Sequence, residues 1–244
     1  LARLYSQLNM PDSAHATLNQ VSTDQVPWVS IQLEHADLFK HELNARKLEK
    51  TLKNIVKKEP NDPESYKYLA DYYFAVKNPK KALKYLTDGL SKPGGDMLLF
   101  DLADYYFKND QYDQLKSYAD RAVVSVDIDP QQKSQALNAY VGQKDKELYL
   151  RKDSDYLANL ISKAVSFHPD NEQLNVLLAS YYSFTSRPDM ALKVMDTYFA
   201  THTANYDFFA TYIYSITSQP EMDWVKLNKV VSTAFELFPE EPYI

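Results

Sequence analysis

The fold class predicted for this sequence is all-α: an α-α superhelix, or solenoid, of about six to seven helix–turn–helix repeats stacked in chain order. Three observations predict it. The stretch Leu69-Ala70-Asp71-Tyr72-Tyr73-Phe74 returns residue for residue as Leu102-Ala103-Asp104-Tyr105-Tyr106-Phe107, and in altered form as Leu178-Ala179-Ser180-Tyr181-Tyr182-Ser183-Phe184. The first two copies lie 33 residues apart and the third follows 76 later, so one unit of about 34 residues is reused with small insertions. A second landmark, x-Pro-x-x-Ala, occurs at Met10–Ala14, Asn78–Ala82 and Arg187–Ala191. Composition agrees: four glycines in 244 residues are too few for the tight turns of sandwiches and barrels.

The hexapeptide explains itself on a helical wheel. At about 100° per residue, Leu69, Ala70, Tyr72 and Tyr73 share one broad face and Asp71 points away from it. The alanine lets a second helix approach closely, and the tyrosines fill the space beside it with large apolar rings that carry a polar tip. Ala70, Ala103 and Ala179 are therefore expected in the helix–helix contact, with Tyr73, Tyr106 and Tyr182 packed beside them.

Taken in order, Leu1–Asn9 reads as a helical stub and Pro11–Val21 as a second helix. In each x-Pro-x-x-Ala copy the proline stands in a helix's first turn, where its missing N–H costs nothing. Each copy thus joins the two helices of one unit. Since Pro79 and Pro188 follow Leu69 and Leu178 by ten residues, Pro11 puts Leu1 at the same register, and the chain is expected to begin inside a first helix, as a piece of a longer protein. Pro60, Pro93, Pro130, Pro169 and Pro239 each follow a helical pattern and are read as stops between units. The resulting units are a partial one at 1–24, then 27–60, 63–93, 96–129, 131–169, 171–202 and 203–239, forming one array over 1–244. The fifth has its first helix near Gln132–Leu150 and an extended connection at Arg151–Ser154.

Charge and composition narrow the partners. The formal net charge is −6, which repels a phosphate backbone and argues against general nucleic-acid binding, a local basic patch aside. With no cysteine, disulfides and thiol chemistry are ruled out, and both reducing and oxidising compartments fit. No apolar run reaches the roughly 18 residues of a membrane span.

These residues carry a family resemblance. A unit of about 34 residues with a large residue, then Leu-small-x-x-Tyr, then alanine in the second helix and a closing proline resembles the tetratricopeptide repeat. In the third unit the matching residues are Tyr66, Leu69, Ala70, Tyr73, Ala82, Leu86, Gly89 and Pro93; the sixth offers Leu178, Ala179, Tyr182, Ala191 and Met195, and the seventh Ala234 and Pro239. Alanine stands where the family has glycine, and Leu115 where the fourth unit should have its second-helix alanine, so the array is divergent. Its tyrosine-rich character is similar to repeat arrays of bacterial cell-envelope proteins, which favours an envelope or periplasmic compartment over the cytoplasm.

The resemblance implies a superhelix whose first helices line a concave groove holding a peptide or partner protein, with no cofactor and no catalysis. Matched to this sequence, the groove residues are Asp37 and Lys40; Glu64, Lys67, Asp71 and Phe74; Phe100, Asp104 and Phe107; Ser180 and Phe184; and Tyr214. Asp37, Asp71 and Asp104 occupy one repeat position. They read either as a solvated helix face or as an acidic ladder with aromatic flanks, suited to a segment presenting basic and apolar side chains. The basic clamps with which some such repeats hold a C-terminal carboxylate are absent, because Lys67 is followed by Asp71. The alternative function is a regulatory or substrate-presenting array attached to a catalytic domain outside this sequence. Apolar helix faces at the two open ends are expected to favour end-to-end self-association.

Catalytic constellations are poor. His15, His35, His41, His168 and His202 are scattered and read as surface residues; none has the helical i, i+4 partner of a zinc protease site. Gly94-Gly95 has no following Lys-Ser/Thr and reads as a linker.

Overall fold

In the computed structural model, which describes residues 1–142 and 154–241, the described residues form α-helices with one 3₁₀ turn and no strand. The chain divides into two compact units, Leu1–Leu115 and Lys116–Ile244. The sequence suggests one uninterrupted array, whereas this division falls inside the fourth repeat.

The first unit contains α1 (Ala2–Gln7), α2 (Pro11–Asn19), α3 (Trp28–His41), α4 (Ala45–Lys58), α5 (Pro63–Ala75), α6 (Pro79–Leu90), the 3₁₀ turn Gly95–Leu98 and α7 (Leu99–Lys108). Helices α1 and α2, α3 and α4, and α5 and α6 pack as antiparallel hairpins, and α2 on α3 and α4 on α5 stack one hairpin on the next. Helix α8 (Tyr112–Val124) spans the division. The second unit continues with α9 (Pro130–Val141), α10 (Ser154–Phe167), α11 (Glu172–Phe184), α12 (Pro188–Phe199), α13 (Tyr206–Thr217) and α14 (Trp224–Leu237). Here α11 and α12, and α13 and α14, are the hairpins, while the first helices α9, α11 and α13 pack side by side.

Five of the turns between consecutive helices use one residue in the left-handed region, and the α13–α14 turn does without one. Asn9, Leu43, Lys77, Asp110 and Ser186 have φ between 55° and 59°, at sequence intervals of 34, 34, 33 and 76. The hydrogen bonds around them are those of a Schellman turn. The amide of Asn78 donates to Tyr73 O at 2.8 Å and that of Lys77 to Phe74 O at 3.0 Å, and Asn44 and Leu43 do the same to Phe39 O and Lys40 O. The next residue then caps the second helix, as when Asn44 and Asn78 accept from the amides of Lys47 and Lys81. None of the five is glycine, so each turn holds an L-residue where the side chain is disfavoured by about 1–2 kcal/mol.

Pro11, Pro79 and Pro188 open their helices, so the proline reading holds there. Pro130 differs: it opens α9 behind an Asp129 cap that accepts from the Gln131 amide, because proline without an N–H is as useful at a helix start as at a stop. Helix α9 ends at Val141, and the remainder of the expected helix to Leu150, with Arg151–Asp153 of the connection, lies outside the described residues.

Ala14, Ala70, Ala82, Ala103, Ala179 and Ala191 are all fully buried, so the small-residue seam of both helices in a hairpin is real packing. Tyr73 and Tyr182 are buried beside it, while Tyr106 is only half-buried. Since Ala103 is fully buried in the helix–helix contact, Ala103→Leu should overpack it and cost about 1–3 kcal/mol, read as a lower midpoint in urea unfolding; an unchanged midpoint would put the seam elsewhere.

Candidate functional site

In the first unit, the side chains facing outward between α3 and α5 border a groove of about 670 Å³. Helix α4 lies beneath it and supplies Leu48 and Leu52, while Leu33 and Ala36 of α3 and Ala75 of α5 complete an apolar floor. Tyr68 and Tyr72 form one wall. The Tyr68 hydroxyl donates to Glu64 at 2.6 Å, and burial together with that carboxylate pushes its phenol up to about 12, so the wall stays neutral at any ordinary pH. The rim carries Asp37, Lys40 and Asp71, with Arg3 and Glu34 paired at one end. At the mouth stands Leu43, 90% exposed, which the left-handed turn holds out in solvent.

The structure thus brings Asp37, Lys40 and Asp71 to one groove. Asp37 lies 3.6 Å from His41, and Asp71 lies 3.7 Å from Lys67. Lys67 itself reaches across to Asp101 of α7. Burial opposes the lysine's charge, but the hydrogen bond and charge of Asp101, with Asp71 behind, hold its pKa above the ordinary value. This lysine is a link between repeats and does not border the groove. Glu64 accepts from Tyr68, Phe74 is stacked on Tyr105 at 5.5 Å between ring centroids, and Asp104 pairs with Lys108 at 3.2 Å. Phe100 is half-buried on α7.

Phe107 is a correction. It is 4% exposed and belongs to the core, because it stands four residues after Ala103 and eight after Leu99, on the stripe that α7 turns inward. In the second unit, Phe184 and Tyr214 are exposed, and Ser180 borders a different depression of about 390 Å³ between α9, α11 and α13. That depression is lined largely by amides, including Gln131, Gln135, Asn138 and Gln173.

The histidines also depart from expectation. His35 is 9% exposed, and the α2–α3 packing sets His15 Nδ1 at 2.7 Å from His35 Nδ1, with His15 Nε2 at 2.8 Å from Glu42. Because Glu42 accepts, His15 donates through Nε2 and offers Nδ1 as acceptor to the Nδ1–H of His35. Phe39 packs against both rings, tilted at 4.4 Å from His15 and stacked at 6.4 Å from His35. Residues 20 apart in sequence are joined here by a helix contact that no local spacing announces. In the second unit, fully buried Lys133 donates to Ser125 O and to His168 Nε2, each at 2.7 Å. Burial lowers the pKa of Lys133; burial and the facing ammonium lower that of His168.

Among the described residues no group of three His, Cys, Asp or Glu side chains could hold a metal, and no helix is long and apolar enough to cross a membrane. The class this fold defines is an all-α array of helix–turn–helix repeats. No family model and no curated protein matches the sequence. Solved structures do. The C-terminal part of a TPR repeat-containing protein from Cytophaga hutchinsonii is 13% identical, with 98% of this chain and 95% of that one covered at a TM-score of 0.53. PilF of Pseudomonas aeruginosa is 11% identical (87% and 92% covered, TM-score 0.45), and a tetratricopeptide repeat protein from Parabacteroides merdae is 11% identical (99% and 91%, TM-score 0.43). The chain has the tetratricopeptide-repeat fold, in a divergent form.

Burial, with the charge of His15 adding to it, holds His35 below the ordinary imidazole value, which is about 6.5. A group with a depressed folded pKa of this kind favours the fold while neutral. Its contribution is complete above about pH 6.5 and is lost as pH falls through the lower folded value. Unfolding midpoints should therefore fall from pH 7 to pH 5, and fall less in His35→Asn, whose amide keeps a donor near Nδ1 without titrating. Equal slopes for both proteins would show that His35 is not protonated on this range.

Proposed function

We propose that this protein is a non-catalytic scaffold that binds a segment of another protein in the α3–α5 groove, the segment presenting basic and apolar side chains together. The observation that supports it most is the pairing of an apolar floor with a carboxylate rim in one groove of about 670 Å³, opened by an exposed leucine in a strained turn. Apolar side chains of the ligand would take the place of water over Leu33, Leu48 and Leu52, and its lysine or arginine groups would meet Asp37 and Asp71. Both aspartates are exposed, so their attraction acts mainly on association and fades over about 8–10 Å at physiological salt.

Peptides selected from a random display library against the intact protein should be rich in Lys or Arg interspersed with apolar residues. Asp37→Lys with Asp71→Lys should weaken the binding of such a peptide by about tenfold or more, since close charge pairs are worth over 1 kcal/mol, and leave the unfolding midpoint unchanged. Retained affinity in the double variant would move the site off this groove.

Apolar side chains stand exposed at both ends of the chain: Leu1, Leu4 and Leu8 on or beside α1, and Trp224, Val225, Phe235 and Leu237 on α14. We propose that copies associate through these faces and so cover them. In equilibrium sedimentation, Trp224→Ser with Phe235→Ser should shift the protein toward monomer; no shift would exclude the α14 face.

A further inference from the structure

In a chain of formal net charge −6, α4 runs against the rest: it carries Arg46, Lys47, Lys50, Lys53, Lys57 and Lys58 against one carboxylate, Glu49. Arg46, Lys50, Lys53 and Lys57 stand at i, i+4, i+7 and i+11, so they form one narrow strip, opposite the buried Leu52 and Ile55. All four are exposed. Lys53 is paired with Glu49 at 2.6 Å, and Arg46, Lys50 and Lys57 enter no ion pair among the described residues. Like charges three and four residues apart on a helix repel each other, so the strip is destabilising until an anion lies along it.

The strip also borders a shaped surface. A depression of about 600 Å³ between α3 and α4 is framed by Lys47, Lys50 and Lys57, with Gln32, Thr51 and Asn54 between them. Gln32, Phe39, Lys47 and Thr51 also line the adjoining cavity of about 510 Å³ that holds His15, His35 and Asp12, so the two form one trough. We propose that this trough on α4 is a second docking surface, separate from the α3–α5 groove, and that its ligand is an acidic polypeptide segment.

Three features select that ligand among anions. The two carboxamides and the hydroxyl offer acceptors as well as donors, which a main chain with N–H groups uses and a phosphate, having none, does not. The strip is about 16 Å long at 1.5 Å per residue, which matches about five residues of extended chain at 3.3 Å each and is short for a duplex, whose binding draws on many phosphates. The rings in the trough, Phe39, His15 and His35, pack on one another, with His15 at 4.4 Å from Phe39 and 4.9 Å from His35, and Lys47 lies over Phe39 at 5.3 Å, leaving no free platform for a base. A membrane surface fits less well, because α4 exposes no large apolar side chain to insert.

The test is fluorescence anisotropy of the full chain with a labelled oligoglutamate peptide, its oligoglutamine counterpart, single-stranded polyuridine and phosphatidylserine vesicles. Oligoglutamate should bind at low salt, release as salt is raised, and raise the melting temperature. Lys50→Gln with Lys57→Gln should lower its affinity by about tenfold, whereas Asp37→Lys with Asp71→Lys should not weaken it. That last comparison separates this surface from the groove. Equal binding of oligoglutamine, indifference to the lysine substitutions, or tighter binding of polyuridine or of the vesicles would each overturn the proposal.

Discussion

Everything in this molecule depends on how closely the two helices of a hairpin approach each other. A left-handed residue reverses the chain in the fewest steps, and alanine on both helices lets the backbones meet: Ala70 with Ala82, and Ala179 with Ala191, are all fully buried. Five turns share the device, at Asn9, Leu43, Lys77, Asp110 and Ser186. Because the turn is closed by backbone hydrogen bonds, with the capping side chain added, it tolerates residues other than glycine at some cost in strain. The consequence for the surface is at Leu43, where the same turn that packs α3 on α4 leaves a large apolar side chain 90% exposed at the mouth of a groove.

Charge is distributed by helix role. First helices turn carboxylates outward, as with Asp37, Asp71 and Asp104, while the second helix α4 turns out lysines. Between these faces sit a few titratable groups whose partners stand on other helical segments: His15 with His35, Lys67 with Asp101, Lys133 with His168. Such contacts fix the register between successive helices, and the histidines among them tie that register to pH. Phe39 touches the imidazole pair on one side and borders the α3–α5 groove on the other, so protonation and groove geometry share a residue.

Much of the fold could be read from the sequence because a repeat multiplies its own signal. One hexapeptide is weak evidence, but its return with a proline landmark at constant offset fixes helix, turn and packing face together. Asp37, Lys40 and Asp71 were legible as a shared outward face for the same reason. What escaped was non-local or broke the period. Phe107 reads like Phe74, but the 3₁₀ turn Gly95–Leu98 precedes α7, a helix of ten residues whose inward stripe runs on to Phe107. His15 and His35 gave no sign of pairing, since only the α2–α3 contact joins them. The left-handed turns were hidden because their residues are leucine, lysine, aspartate, serine and asparagine in place of glycine.

The central claim is that α3 and α5 present one binding groove, and amide hydrogen exchange tests it most directly. With a display-selected basic and apolar peptide bound, the account predicts slowed exchange in Trp28–His41 and Pro63–Ala75 and little change in the second unit. Protection confined to α9, α11 and α13, or spread evenly over the chain, would contradict it.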